Sequence, residues 1–134
     1  MALLERIKHH EGFRSRVYTC TENHLTIGYG FAIKDLEIDE DIAEMILMRK
    51  LDDLMNRIQK TFVWWRSAED EVKDVVVEMC YQLGLSGFSK FKKTIKYLET
   101  KQYGKASVEM LDSRWAKQTP NRAIELSNII KNLE

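Results

Sequence analysis

Proline is nearly absent from this sequence, occurring once in 134 residues, and no stretch is biased toward Gly, Ser or a single charge. Nothing therefore reads as a flexible linker or a low-complexity tail, and no repeat recurs at a fixed period. Cysteine is scarce as well. Cys20 and Cys80 lie 60 positions apart and do not make a disulfide framework. Charge of one sign is missing: 21 basic and 21 acidic side chains give a formal net charge of zero. Without long-range attraction to phosphate, nucleic-acid binding is not expected. The basic cluster Lys90, Lys92, Lys93 and Lys96 reads more simply as a solvated helix face. No apolar run approaches ~18 residues, so membrane insertion is not expected. The opening MALLERIKHHEG reaches charge by residue 5 and has no apolar h-region, so no signal peptide is expected.

What is present describes a globular chain, 44% apolar and 31% charged, long enough for one core or for two small lobes. Leu3, Leu4 and Ile7 fall at helical spacing, which predicts a short helix over residues 3 to 11, ended by Gly12 as its C′ residue. Glu11 continues the stripe by one turn, so it is expected on an apolar face, where desolvation raises a carboxyl pKa. Residues 16 to 20 and 25 to 29 are β-rich around a polar tip and predict a hairpin. If its turn is odd-numbered and centred on Asn23, Cys20 lies directly opposite Thr26. Asn suits such a tip because it tolerates the left-handed conformation.

The longest helix is expected from Asp39 to about Phe62, opened by the acidic Asp39, Glu40 and Asp41 and striped by Ala43, Leu47, Leu51, Leu54 and Ile58. Roughly 24 residues at 1.5 Å each give ~36 Å, long enough to bridge two lobes. Beyond it the pattern predicts a helical bundle. Ser67 to Asp70 reads as an N-cap start for a core stripe of Val72, Val75, Val76, Met79, Cys80 and Leu83. Phe91, Ile95 and Leu98 mark a further helix, and Ala106, Met110 and Leu111 another. Thr119-Pro120, an N-cap followed by Pro at N1, opens the last helix with Ala123, Leu126, Ile130 and Leu133. Cys80 reads as a buried core thiol.

The chemical information concentrates in HHEGFRSRVYTCTENHLTIGYG, residues 9 to 30. Three readings are open: a catalytic site, a metal site, or an ordinary helix end followed by a hairpin. Glycosidic cleavage needs a proton donor on one side of the bond and a group that delivers water, or attacks directly, on the other. Glu11 fits the donor, Thr26 can orient water, and Cys20 stands where a second catalytic group would. His9, His10, Cys20 and His24 are zinc-type donors, but the histidines lack the i, i+4 spacing of a helical pair, so no metal and no cofactor is expected. Trp64, Trp65 and Trp115 could stack on sugars, though core packing is their commoner use.

The run Glu11-Gly12, Tyr18, Thr26-Ile27-Gly28-Tyr29-Gly30 resembles the T-even phage lysozymes, or endolysins, of glycoside hydrolase family 24. Their signature is Glu, eight residues, Asp or sometimes Cys, five residues, Thr, and Glu11, Cys20 and Thr26 match it without a gap. Tyr81-Gln82-Leu83-Gly84 with Gly87 and Phe91 is a second similar block, and the Ser113-Arg114-Trp115 to Asn121-Arg122-Ala123 segment a third.

The resemblance implies an α+β, mostly α, lysozyme-like two-lobe fold in one domain. Residues 12–38 would form the hairpin lobe, 39–62 the connecting helix, and 1–11 with 63–134 the helical lobe, with the substrate cleft between lobes. It implies hydrolysis of the β-1,4 bond between N-acetylmuramic acid and N-acetylglucosamine in peptidoglycan, with Glu11 as general acid, Cys20 in the usual aspartate position and Thr26 orienting water. Gly30, Ala32, Tyr81, Gln82, Thr94 and Arg114 fall on substrate-binding positions, and Arg122 resembles the arginine packed near the catalytic glutamate. A monomer is implied that waits in the host cytoplasm until a holin opens the membrane and then reaches the periplasm and cell wall. The chain departs from the pattern in three places. Its segment between hairpin and long helix is shorter, Phe31 replaces a histidine that forms a structural ion pair, and Ala32 replaces a larger apolar residue.

The thiol leaves the chemistry open. With an ordinary pKa near 8.5, free cysteine is about a few per cent thiolate at pH 7, and Arg14, Arg16 and His24 are near enough in sequence to lower it. Attack by the thiolate would retain configuration; attack by water held on Thr26 and Cys20 would invert it, the route that keeps the family geometry. A peptidoglycan-binding relative impaired in catalysis is the rival reading, and a lytic transglycosylase, told apart by anhydro-sugar products, is a third.

Overall fold

The computed structural model describes residues 1–134, which form seven α-helices and one three-stranded antiparallel sheet. This is the mostly helical α+β fold expected. Two compact units divide the chain, Met1–Glu44 and Met45–Glu134.

In the first unit α1, Ala2–Glu11, runs into Gly12, whose φ of 70° breaks the helix while its amide donates to the Lys8 carbonyl at 2.9 Å. The strands β1 (Arg14–Thr19), β2 (Leu25–Gly28) and β3 (Phe31–Ala32) follow in the order β1-β2-β3. The third strand, two residues long, is too short to announce itself by periodicity, and a 3-10 turn over Ile33–Asp35 follows it. Thr26, in the middle strand, is the one buried residue of this unit.

Two expectations are corrected here. Helix α1 buries nothing: Leu3, Leu4 and Ile7 are exposed, and so is Glu11. The hairpin register also differs, because Tyr18 pairs with Thr26 and Thr19 with Leu25, which centres the loop on Glu22 rather than Asn23. Asn23 is left-handed as expected, with φ 64°, but as the last residue of a three-residue loop. A type I turn closed by a left-handed residue is a common three-residue hairpin connection.

The second unit takes most of α2, Glu40–Thr61. Of its predicted stripe, Leu54 and Ile58 are buried and Leu51 half-buried, whereas Ala43 and Leu47 are exposed. A 3-10 turn, Val63–Ser67, leads into α3, Asp70–Ser89. Glu69 rather than Ser67 holds the N-cap position; the Ser67 hydroxyl instead donates to the Trp64 carbonyl. Gly84, at φ 78° and ψ 156°, interrupts α3. The bundle is completed by α4 (Lys92–Glu99), α5 (Tyr103–Leu111), α6 (Arg114–Gln118) and α7 (Pro120–Lys131). Pro120 occupies N1 of α7, where its missing N–H costs nothing.

The core lies in this unit. Val72, Val75, Val76, Met79 and Cys80 are all buried as their spacing predicts, joined by Ile58, Phe88, Met110, Ala123 and Ile130. Each large side chain so removed from water contributes about 1.5–3 kcal/mol before entropy is counted. Rings interlock through it: Phe62 meets Phe88 edge-on at 5.8 Å, Phe88 stacks on Phe91 at 6.2 Å, and Phe91 meets Trp115 edge-on at 6.1 Å. Trp65 and Trp115 are thus core residues.

Candidate active site

The hairpin dictates where the thiol stands. Cys20 receives the loop: its amide donates to the His24 carbonyl and its carbonyl accepts from Asn23, both at 2.9 Å. Side chains alternate along a strand, so Tyr18, Cys20, His24, Thr26 and Ala32 share one face of the sheet. Cys20 is diagonal to Thr26 rather than opposite it, and the two side chains are still in contact.

The half-buried Cys20 thiol lies below its ordinary pKa. The largest cause is the backbone N–H of His24, then that of Glu22; the Thr26 hydroxyl adds to them, against desolvation and the Glu22 carboxylate. All three donors stabilise the thiolate more than the thiol. The expectation that arginine charge would do this is corrected. The Arg14 guanidinium instead lies 4.7 Å from the centre of the Tyr18 ring. No pattern of side chains announces loop amides, and only the loop length and Asn23 hinted at them. The buried Thr26 hydroxyl also reaches the His24 carbonyl at 3.0 Å. Its single proton can serve either the carbonyl or the sulfur.

Glu11 ends α1 with its carboxylate laid across the α-carbon of Gly30. A Cβ built on Gly30 would come within 2.5 Å of Glu11 Oε2 and 3.3 Å of its Cδ. Gly30 closes the turn between β2 and β3 at φ 78°. The neighbouring Tyr29 ring packs between Phe13 and Phe31 at 5.5 and 6.4 Å, with Lys8 Nζ 5.8 Å from its centre. One unit therefore brings together Glu11 with Gly30, and Cys20 with Thr26 and Ala32.

The other candidates belong to the second unit. Gln82 is committed within it: Oε1 accepts from Trp115 Nε1 at 2.8 Å, and Nε2 donates to Thr119 Oγ1 at 3.5 Å. Thr119 Oγ1 in turn donates to the Trp115 carbonyl at 3.0 Å. Thr94 and Arg114 line one groove of about 540 Å³, floored by Leu83, Phe91 and Trp115. Lys90, Lys92 and Lys93 of the basic cluster also line it, together with Glu109 and Asp112, which the sequence did not single out. Tyr81 is exposed beside a separate recess of about 460 Å³ that includes Arg57 and Gly84. Arg122 Nε donates to Glu78 Oε2 at 2.8 Å.

Residues 8–128 match the family described as phage lysozyme. The chain belongs to the phage lysozyme family. It is similar to probable T4-type lysozyme 2 of Dictyostelium discoideum, 24% identical over 159 positions that cover 97% of this chain and 94% of the relative. Probable T4-type lysozyme 1 of the same organism is 24% identical over 160 positions, with the same 97% and 94% coverage. The pre-baseplate central spike protein Gp5 of Enterobacteria phage T4 is 25% identical over 158 positions, which cover 97% of this chain and 28% of that protein. Alignments of 159 positions against 134 residues mean that these relatives carry segments this lysozyme lacks. Membership makes the chain a glycoside hydrolase, a lysozyme with muramidase-type activity on peptidoglycan.

Proposed function

We propose that this lysozyme cleaves the β-1,4 bond between N-acetylmuramic acid and N-acetylglucosamine with Glu11 as general acid and with Cys20 and Thr26 as the water-handling pair. Glu11 gives its proton to the glycosidic oxygen as that bond breaks. Water attacks the anomeric carbon from the opposite side and passes its proton to the Cys20 thiolate, so configuration inverts. The observation that carries this reading is that Cys20 and Thr26 stand on one face of the hairpin, where loop amides and the Thr26 hydroxyl hold the thiol below its ordinary pKa. They favour the ionised form, which replaces the carboxylate the family more often uses there.

The same thiolate is also a nucleophile. Its direct attack would form a thioglycosyl intermediate and retain configuration, and this is the second reading. Substrate contacts are assigned to Gly30, Ala32, Tyr81, Thr94 and Arg114. Gln82, with both ends of its amide occupied, contributes by fixing the Trp115 edge and the Thr119 hydroxyl. Arg122 supports the site. The enzyme acts as a monomer, held in the host cytoplasm until a holin lets it reach the periplasm and wall.

The test is release of soluble muropeptides from purified peptidoglycan by wild type, Glu11→Gln and Cys20→Ser, with the anomer read on the earliest products. Turnover lost in both variants, with inversion, is the expected result. Retention with a trapped thioglycoside would transfer the mechanism to covalent attack. Absence of wild-type turnover under reducing conditions, with wall binding kept, would make the chain a wall-binding relative.

A further inference from the structure

Glu11 sits on an exposed helix end, and its carboxylate lies against the bare α-carbon of Gly30 in its own unit. A carboxylate on a surface helix terminus ordinarily samples several rotamers. Here a Cβ on residue 30 would fall 2.5 Å from Glu11 Oε2, so the carboxylate would have to shift to admit it. The backbone under that oxygen is itself fixed, because Gly30 closes a three-residue connection whose strands pair Ile27 with Phe31 and Thr26 with Ala32. That last pair ties the same turn to the Thr26 that contacts Cys20. The glycine thus sets the position of the acid relative to the strand that carries the hydroxyl.

We infer that Gly30 is a positioning residue for the general acid: the absence of a side chain there creates the seat that aims the Glu11 proton. This rests on the proposed role of Glu11 and adds to it a reason for glycine that differs from its φ. Both Gly30 and Gly84 have φ 78°, a backbone conformation in which alanine is strained at either position. At Gly84 the added Cβ meets nothing within 4 Å, whereas at Gly30 it meets the Glu11 carboxylate. Comparing the two alanine variants separates the seat from the strain.

Gly30→Ala is expected to lower kcat about 100-fold, the loss that follows from moving a reacting group by roughly 1 Å. KM is expected to change as well, because Gly30 is itself a proposed substrate contact, so the loss is read in kcat. Gly84→Ala is expected to keep kcat within about 3-fold. In a double-mutant cycle, Glu11→Asp withdraws the carboxylate by one methylene, so adding Gly30→Ala to it should cost less than about 5-fold further. An equal loss from Gly30→Ala with and without Glu11→Asp, or an equal loss in Gly84→Ala, would overturn the inference. A readout that needs no turnover accompanies these: the carbon-13 resonance of the Glu11 carboxyl moves in Gly30→Ala and stays in Gly84→Ala. If that resonance does not move in Gly30→Ala, the seat is wrong. If it moves while the wild type fails to turn over peptidoglycan, the seat stands and the muramidase role of Glu11 falls.

Discussion

Each of the two units holds one cysteine, and the two thiols are shifted in opposite directions. Cys20 lies on a hairpin face where loop amides and a hydroxyl pull its pKa below the ordinary value. Cys80 lies in the helical core, 1% exposed, where burial pushes its pKa up to about 12. The same side chain becomes a candidate for chemistry in one place and an inert filler in the other. What differs is the supply of N–H and O–H donors. A three-residue loop has amides with no strand partner, whereas the amides of a helix interior are already engaged with carbonyls of the preceding turn. The hairpin unit has one buried residue and turns that hold its reactive groups. The helical unit has nearly all of the core.

Reactivity should show the largest difference. At pH 7 a thiol titrating at about 12 is ionised in roughly 1 molecule in 10⁵, while one below 9.0 exceeds about 1%. Iodoacetamide should therefore alkylate Cys20 at least ~10³-fold faster than Cys80 in the folded protein, read by mass spectrometry of the two peptides. Comparable rates would mean either that the loop donors do not face the sulfur or that the core opens readily. Removing the core ring, Phe88→Ala, should cost about 3–5 kcal/mol of unfolding free energy. Provided the variant is assayed where it is folded, kcat should hold, because no proposed catalytic group lies in that unit's core.

The pH profile sharpens the contrast from the side of Cys20. A base that must be ionised gives a rate limb that rises with pH through its pKa. In this protein that limb should lie below the ordinary thiol range, because the folded value is lowered. Cys20→Asp should move the limb further down, into the carboxylate range. A limb that ignores this substitution would remove Cys20 from the proton path. For Cys80 the sign is reversed. Its folded pKa is raised from 9.0 to about 12, so its contribution to stability is whole below pH 9 and lost as the pH climbs between those values. Urea midpoints of wild type and Cys80→Ala should accordingly converge on going from pH 8 to pH 10.5.

The sequence disclosed these regions unequally. Apolar spacing named the α3 core from Val72 to Cys80 because burial there follows a helical period within one element. It overstated the start of α2, where Ala43 and Leu47 continue the stripe but stay exposed. The resemblance to the phage lysozymes named Glu11, Cys20 and Thr26 together, which spacing alone did not. Spacing could not fix the hairpin register, since moving a loop centre by one residue leaves the same β-rich runs in place, and here it moved Cys20 from opposite Thr26 to diagonal. Nor could side-chain identity disclose donors that are backbone amides, or a seat made by a missing Cβ at Gly30.

The smallest effect expected concerns Arg122 and Glu78, and it tests whether charge on the helical unit stabilises the fold or serves the reaction. Their 2.8 Å contact is the tightest ion pair in the molecule, yet the two side chains are 36% and 47% exposed. Water screens such a pair, and holding two long side chains in one geometry costs entropy, so a double-mutant cycle should give about 0.2–1 kcal/mol. Raising the salt to 1 M should reduce that coupling further, because exposed charges are screened over a few ångströms there. A coupling above about 2 kcal/mol would show that the pair behaves as a buried one. The informative comparison is between variants: Glu78→Ala frees the guanidinium, whereas Arg122→Ala removes it. If the arginine supports only the fold, both lower stability slightly and leave kcat alone. If it supports Glu11, as the family resemblance implies, Arg122→Ala should lower kcat while Glu78→Ala does not.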